Sequence, residues 1–184
     1  MATIIVKEWD VTGTDPSGSR HLESHASFVS VVASGTSPTG TIDLGSLAIT
    51  DGNDIGATKC FTVQFSGFAD GNETVDSCEF WASGSDLSGT SSKIVYSGTG
   101  SWTQSLSLAE DGNEIVPTTS GTASGVLRND GGLTFFATTD AHTSQYNYIA
   151  LQASGDMPVG AYGGTTGLDL KFNYSVNTAN TNRD

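Results

Sequence analysis

The sequence predicts an all-β fold, an antiparallel β-sandwich of jelly-roll-like kind with roughly eight to eleven strands and essentially no helix. Three observations predict it. Ser, Thr and Gly number 24, 24 and 23 of 184 residues, against 7 for Lys and Arg together. Gly, Ser and Thr lower helix propensity, whereas Ala, Leu, Glu, Lys and Arg raise it. Apolar and polar residues alternate in short runs, the period-two signature of a strand with one face in a core. Between the runs stand DPSGS, SGTSPTG, SGTGS, NDGG and YGGTTG, in which Gly and Asn accept positive φ and Pro presets a turn.

Taken in chain order, the expected strands are TIIVKEWDV (3–11), SFVSVVA (27–33), TIDLGSLAI (41–49), KCFTVQFSGF (59–68), SCEFWA (77–82), SKIVYS (92–97) and SWTQSLSL (101–108). SGVLRN (124–129), GLTFFATT (132–139), NYIALQAS (147–154) and LDLKFNYSV (168–176) follow. The last shows the alternation most plainly. Leu168, Leu170, Phe172, Tyr174 and Val176 share one face, and Asp169, Lys171, Asn173 and Ser175 share the other. A helical turn is conceivable in LESHASFVSVVA, but its β-branched end opposes even that.

This length suits one domain with a real core. We read residues 1–176 as that domain, with 1–12 as a strand or an exchange arm, and 177–184 as a polar tail that frays or docks on a neighbour. DGND at 51 and DGNE at 70 and 111 recur at unequal steps, which disfavours a solenoid.

A formal charge of -13 makes the surface soluble and self-repelling. It opposes nucleic-acid binding, whose affinity comes largely from Lys and Arg displacing counterions. No stretch approaches the roughly 18 apolar residues of a bilayer span, and MATIIVKEWDVTG lacks the basic start and long apolar run of a signal peptide. Neither nucleic acid nor membrane is therefore an expected partner.

The DGN[DE] tetrapeptides pose the main chemical question. Calcium takes six to eight oxygens, often from Asp, Asn and backbone carbonyls around a Gly bend. The loop 70–76 offers Asp70, Asn72, Glu73 and Asp76, the densest carboxylate cluster of the chain. Its spacing differs from that of an EF-hand, and Asp-Gly-Asn is also an ordinary hairpin or bulge turn. A turn is the first reading of every copy, and calcium the second reading at 70–76.

Cys60 and Cys78 admit two readings. If KCFTVQF and SCEFWA form an antiparallel hairpin centred near Ala69, the two lie opposite each other within reach of a disulfide. Two buried thiols in a reducing compartment are the alternative. His21, Glu23 and His25 would share a face in an extended segment and could bind a transition metal with His142. A solvated polar loop is the simpler account. The sequons Asn72-Glu73-Thr74 and Asn173-Tyr174-Ser175 matter only for a chain passing through a glycosylating pathway.

The patterning does not point to an enzyme. The GxSxG elbow, a paired-carboxylate arrangement for glycosides and a phosphate-cradling Gly loop with Lys are all missing from the sequence, and Ser-His-Asp groupings are cheap by chance among 24 serines. Trp9, Trp81, Trp102, Phe135, Phe136, Tyr146, Tyr148 and Tyr162 could line a sugar platform, with Trp81 and Tyr162 as its testable members. Packing in a core or between subunits is the plainer role.

Two segments carry a resemblance. SCEFWASGSDLSG (77–89) is similar to the short Phe-Trp strand of small accessory structural proteins of tailed bacteriophage virions. QASGDMPVGAYGGTTGLDLKFNYSV (152–176) resembles the closing hairpin of many virion and cell-surface β-sandwiches. There a connection like Pro158-Val159-Gly160-Ala161-Tyr162-Gly163 leads into a final alternating strand. The resemblance implies a β-sandwich shell or appendage protein and carries over no catalytic or binding residue.

The expectation is thus a non-enzymatic virion protein that decorates or cements a capsid. It would contact the major capsid or another virion protein and associate with itself. Such a protein folds in the host cytoplasm and reaches the outside by lysis, which accommodates an extracellular-type composition without an export signal. A tail or fibre component is the near alternative. A surface adhesin or carbohydrate-binding module and a filament subunit assembling by strand exchange are the rivals.

Overall fold

The computed structural model of the chain describes residues 3–9, 22–24, 44, 46–50, 54–66, 73–83, 92–99, 106–109, 113–118, 144–153 and 169–178. Among them every regular element is a strand, and every pairing is antiparallel. The strands are β1 (Thr3–Trp9), β2 (Leu22–Ser24), β3 (Asp54–Ile55), β4 (Lys59–Ser66), β5 (Glu73–Ser83), β6 (Ser92–Thr99), β7 (Glu114–Ile115), β8 (Tyr146–Ala153) and β9 (Asp169–Thr178). The long ones are rich in Ile, Val, Phe and Tyr, whose branched or flat side chains pack well on a pleated surface.

One sheet runs β2-β1-β4-β8-β6-β7, with β3 joined to β8; a second consists of β5 and β9. β3 and β4 lie end to end along the same side of β8, Ile55 opposite Gln152 and Lys59 opposite Ile149. Four steps on one strand against three on the other make a bulge, and Gly56 N–H keeps the ladder by donating to the Leu151 carbonyl at 2.8 Å.

Directly paired residues share a face, and so the register sorts the large sheet into two sides. The front carries Trp9, Cys60, Tyr148, Ala150, Tyr146 and Val95, which form one buried cluster with Leu108 and with partly buried Ile55 and Leu106. Trp9 meets Tyr146 edge to face at 5.7 Å and donates its indole N–H to Thr62 Oγ1 at 2.9 Å. The back carries Val6, Val63, Phe61, Ile149, Tyr96 and Ile94, all buried. Phe80 of β5 packs there, edge to face on Phe61 at 5.9 Å and on Tyr96 at 5.1 Å. Such ring pairs each contribute about 0.5–1.5 kcal/mol beyond area burial.

Next to β7, the chain passes from one sheet to the other. Val116 N–H donates to Ile94 O in the large sheet, and the next carbonyl, of Pro117, accepts from Ala82 N–H of β5. Pro has no N–H to give to a ladder, so it suits a point where pairing on one side ends.

Several expectations are corrected. The run 101–108 was expected as a strand, yet residues 106–108 are irregular, with Leu108 buried as a plug on the front face. Residues 44 and 46–49, within the expected strand 41–49, are likewise irregular. β9 extends through Asn177 and Thr178, opposite Thr74 and Glu73, so the strand continues two residues into the expected tail. β4 and β5 do not form a hairpin with each other, since β4 pairs with β1 and β8, and β5 pairs with β9. The expected strands at 27–33, 124–129 and 132–139 lie outside the described residues.

Candidate functional site

Of the four candidate calcium ligands, Asp70 and Asn72 lie outside the described residues. Glu73 opens β5 opposite Thr178, and Asp76 falls where the β5–β9 register shifts between Val75 and Ser77. The other two copies of the tetrapeptide reveal what their ends do. Asp54, which closes DGND, accepts from Thr50 N–H and from Thr50 Oγ1–H, both at 2.6 Å. Its carboxylate ties the two ends of the bend together. In the third copy Asn113 donates to the Ala109 carbonyl, and Glu114 accepts the Tyr96 hydroxyl proton at 2.5 Å. That bond fastens β7 to β6. Among the described residues no three His, Cys, Asp or Glu side chains come together in a way that could hold a metal ion.

Cys60 and Cys78 are both buried thiols. Cys60 stands between Trp9 and Tyr148 on the front of the large sheet. Cys78 is paired with Tyr174 and lies two residues before Phe80 on β5, which packs on the back. The hairpin that would have set them opposite each other is not formed, and the large sheet stands between them. Burial pushes the Cys78 thiol well above its ordinary value, and the neighbouring Glu79 carboxylate adds to the shift. The thiolate, the reactive form, is correspondingly disfavoured.

Trp81 is 6 % exposed, so its ring belongs to packing rather than to an open platform. Trp9, Tyr146 and Tyr148 are buried too. Tyr162, Trp102, Phe135 and Phe136 lie outside the described residues, as do His21, His25 and His142. Glu23 lies in β2.

Among the described residues, the densest polar chemistry sits at positions that the patterning did not single out. Ser144, Gln145 and Asn147 are all buried at the start of β8. Ser144 and Val63 exchange two hydrogen bonds: Ser144 N–H donates to the Val63 carbonyl at 2.8 Å, and Val63 N–H donates to Ser144 Oγ at 2.9 Å. Asn147 is opposite Phe61. Three steps from Ser144 to Asn147 therefore face two steps from Phe61 to Val63, and the strand bulges. The carbonyl of Gln145 accepts from Ser144 Oγ–H at 2.8 Å and from Asn147 Nδ2–H at 2.9 Å. Asn147 Nδ2 also reaches Ser144 Oγ at 3.4 Å and the Phe61 carbonyl at 3.5 Å. A readable signal for this cluster existed in SQYNYIALQA, where three amide side chains interrupt an otherwise apolar strand.

Chemically the arrangement holds strands. Asp54, Tyr96, Glu114, Ser144 and Asn147 are each engaged with another part of the chain. No family model matches the chain, and no match to it was found among curated proteins or among solved structures.

Proposed function

We propose that the protein is a non-enzymatic structural subunit of a virion, decorating or cementing a capsid by bridging coat subunits. The observation that carries the reading is the use of polar chemistry: the acids, amides and hydroxyls described above hold strands and turns together. A subunit whose work is to resist displacement needs that kind of internal fastening. The acidic, Ser/Thr/Gly-rich composition and the two segments similar to virion proteins support the same reading. The two sheets are inferred to face each other as a sandwich, with Phe80 seated on Phe61 and Tyr96.

The mechanism is adhesive. Each copy lays apolar surface and backbone hydrogen-bonding groups across a seam between coat subunits. Because it binds the assembled state alone, it shifts the equilibrium toward that state. Capsids stripped of the chain and mixed with purified protein should rebind it to a saturable copy number, with a rise in their disassembly temperature. A chain that stays monomeric and leaves stripped particles bare would end the cement reading.

A further inference from the structure

β8 poses a problem of register. In a strand with one wet face, a slip of one residue throws its apolar side chains into water, and that penalty sets the pairing. β8 lacks it. Tyr146, Tyr148 and Ala150 are buried on one face, and Ile149 and Ala153 are buried on the other. A slip would exchange one apolar set for another.

We propose that the Ser144–Asn147 bulge and a gap at Gly98 form a two-sided lock that selects the register of β8 against both neighbouring strands. On the β4 side, the bulge leaves the Gln145 carbonyl out of the ladder, and Ser144 and Asn147 satisfy it. Displaced by one residue, Asn147 would face Cys60 or Thr62, on the side of Trp9 and Tyr148. Its amide would then lose the Phe61 carbonyl, and Ser144 both bonds to Val63, which leaves buried polar groups without their cross-strand partners, a costly state. On the β6 side, Gly98 is opposite Asn147. The Gln145 side chain fills the space beside it, and a Cβ on residue 98 would meet Gln145 Nε2 and Cδ, so that the buried Gln145 side chain would have to move aside. Displaced by one, Ser97 or Thr99 would bring a Cβ into that gap. The two devices act on different neighbours and select the same pairing. A network whose members are all satisfied can specify a unique core in this way.

The test compares NMR spectra of the isotopically labelled full chain with those of Asn147→Ala, Ser144→Ala and Gly98→Ala. In the parent, cross-strand nuclear Overhauser contacts should join Cys60 with Tyr148 and Tyr96 with Ile149. The lock predicts a second set in the variants, displaced by one residue. Thr62→Val, which lies opposite the bulge but removes only the buried Trp9–Thr62 bond on the other face of β4, should keep one native set. Gly98→Ala leaves every bond of the bulge in place and reads the lock even where the bulge variants do not fold. Adding Gln145→Ala to it removes the collision in every register and should leave the second set in place. A single native set in Gly98→Ala and in every bulge variant that folds would overturn the proposal. So would a loss of fold in Gly98→Ala that Gln145→Ala does not repair.

Discussion

At residue scale, Cys78 ties burial to a pH dependence whose sign is determined. Burial first, and the Glu79 charge second, raise its folded value above the ordinary 9.0. The folded thiol stays protonated where the unfolded one ionises, so the unfolded chain binds fewer protons at high pH. Its contribution to stability is therefore complete below pH 9 and is lost progressively as pH rises above it. Urea midpoints of the parent should fall above pH 9 more steeply than those of Cys78→Ala, which has no thiol to ionise. Parallel slopes would show that Cys78 contributes nothing to alkaline unfolding. The aromatic and acidic side chains were visible in the sequence as residues but not as roles. Trp81 read as a core or interface residue first and a platform residue second, and it is 6 % exposed. Asp54 read as a turn residue, and its bonds to Thr50 are turn chemistry.

At the scale of elements, alternation located the strands that have it. SKIVYS was expected over 92–97 and β6 is Ser92–Thr99; NYIALQAS was expected over 147–154 and β8 is Tyr146–Ala153. The two-residue strands β3 and β7 were not legible, because a pair of residues carries no period. The β4–β5 hairpin failed for another reason. A turn signal says that the chain bends and not which sheet edge it then joins. β1, within the segment read as a strand or an exchange arm, is an inner strand flanked by β2 and β4 and contributes Val6 and Trp9 to the two faces. Loss of a buried Trp alone costs about 3–5 kcal/mol, a large part of a total near 5–15 kcal/mol. Deletion of residues 1–10 should accordingly abolish the cooperative urea transition, followed by circular dichroism. A truncated chain that unfolds at the parent midpoint would restore the arm.

At the scale of the whole molecule, the large sheet is covered on both sides, by Leu106 and Leu108 in front and by Phe80 behind. Neither described face of its centre is left as an adhesive plane, so the proposed cement role would have to use strand edges and connections. The calcium question also belongs here, since a bound ion stabilises the entire fold by mass action, about 2.7 kcal/mol at a hundredfold excess over Kd. For a chain of this size that is a shift of roughly 5–10 °C. Melting with and without chelator should give one midpoint, as expected if the acidic bends close on themselves as those at Asp54 and Asn113 do. A chelator-induced fall of several degrees would return the ion to 70–76.

Composition and period-two patterning act locally along the chain, and they suffice for the all-strand character of the described residues, the antiparallel habit and most of the strand positions among them. Tertiary structure decided which strands pair, which face of each is covered and what the polar residues do. β4 lies between β1 and β8 rather than beside β5; Cys60 and Cys78 are separated by a sheet; Asn147 closes a bulge against a strand 86 residues away. Those outcomes depend on contacts between residues far apart in the chain, and a local pattern contains no record of them.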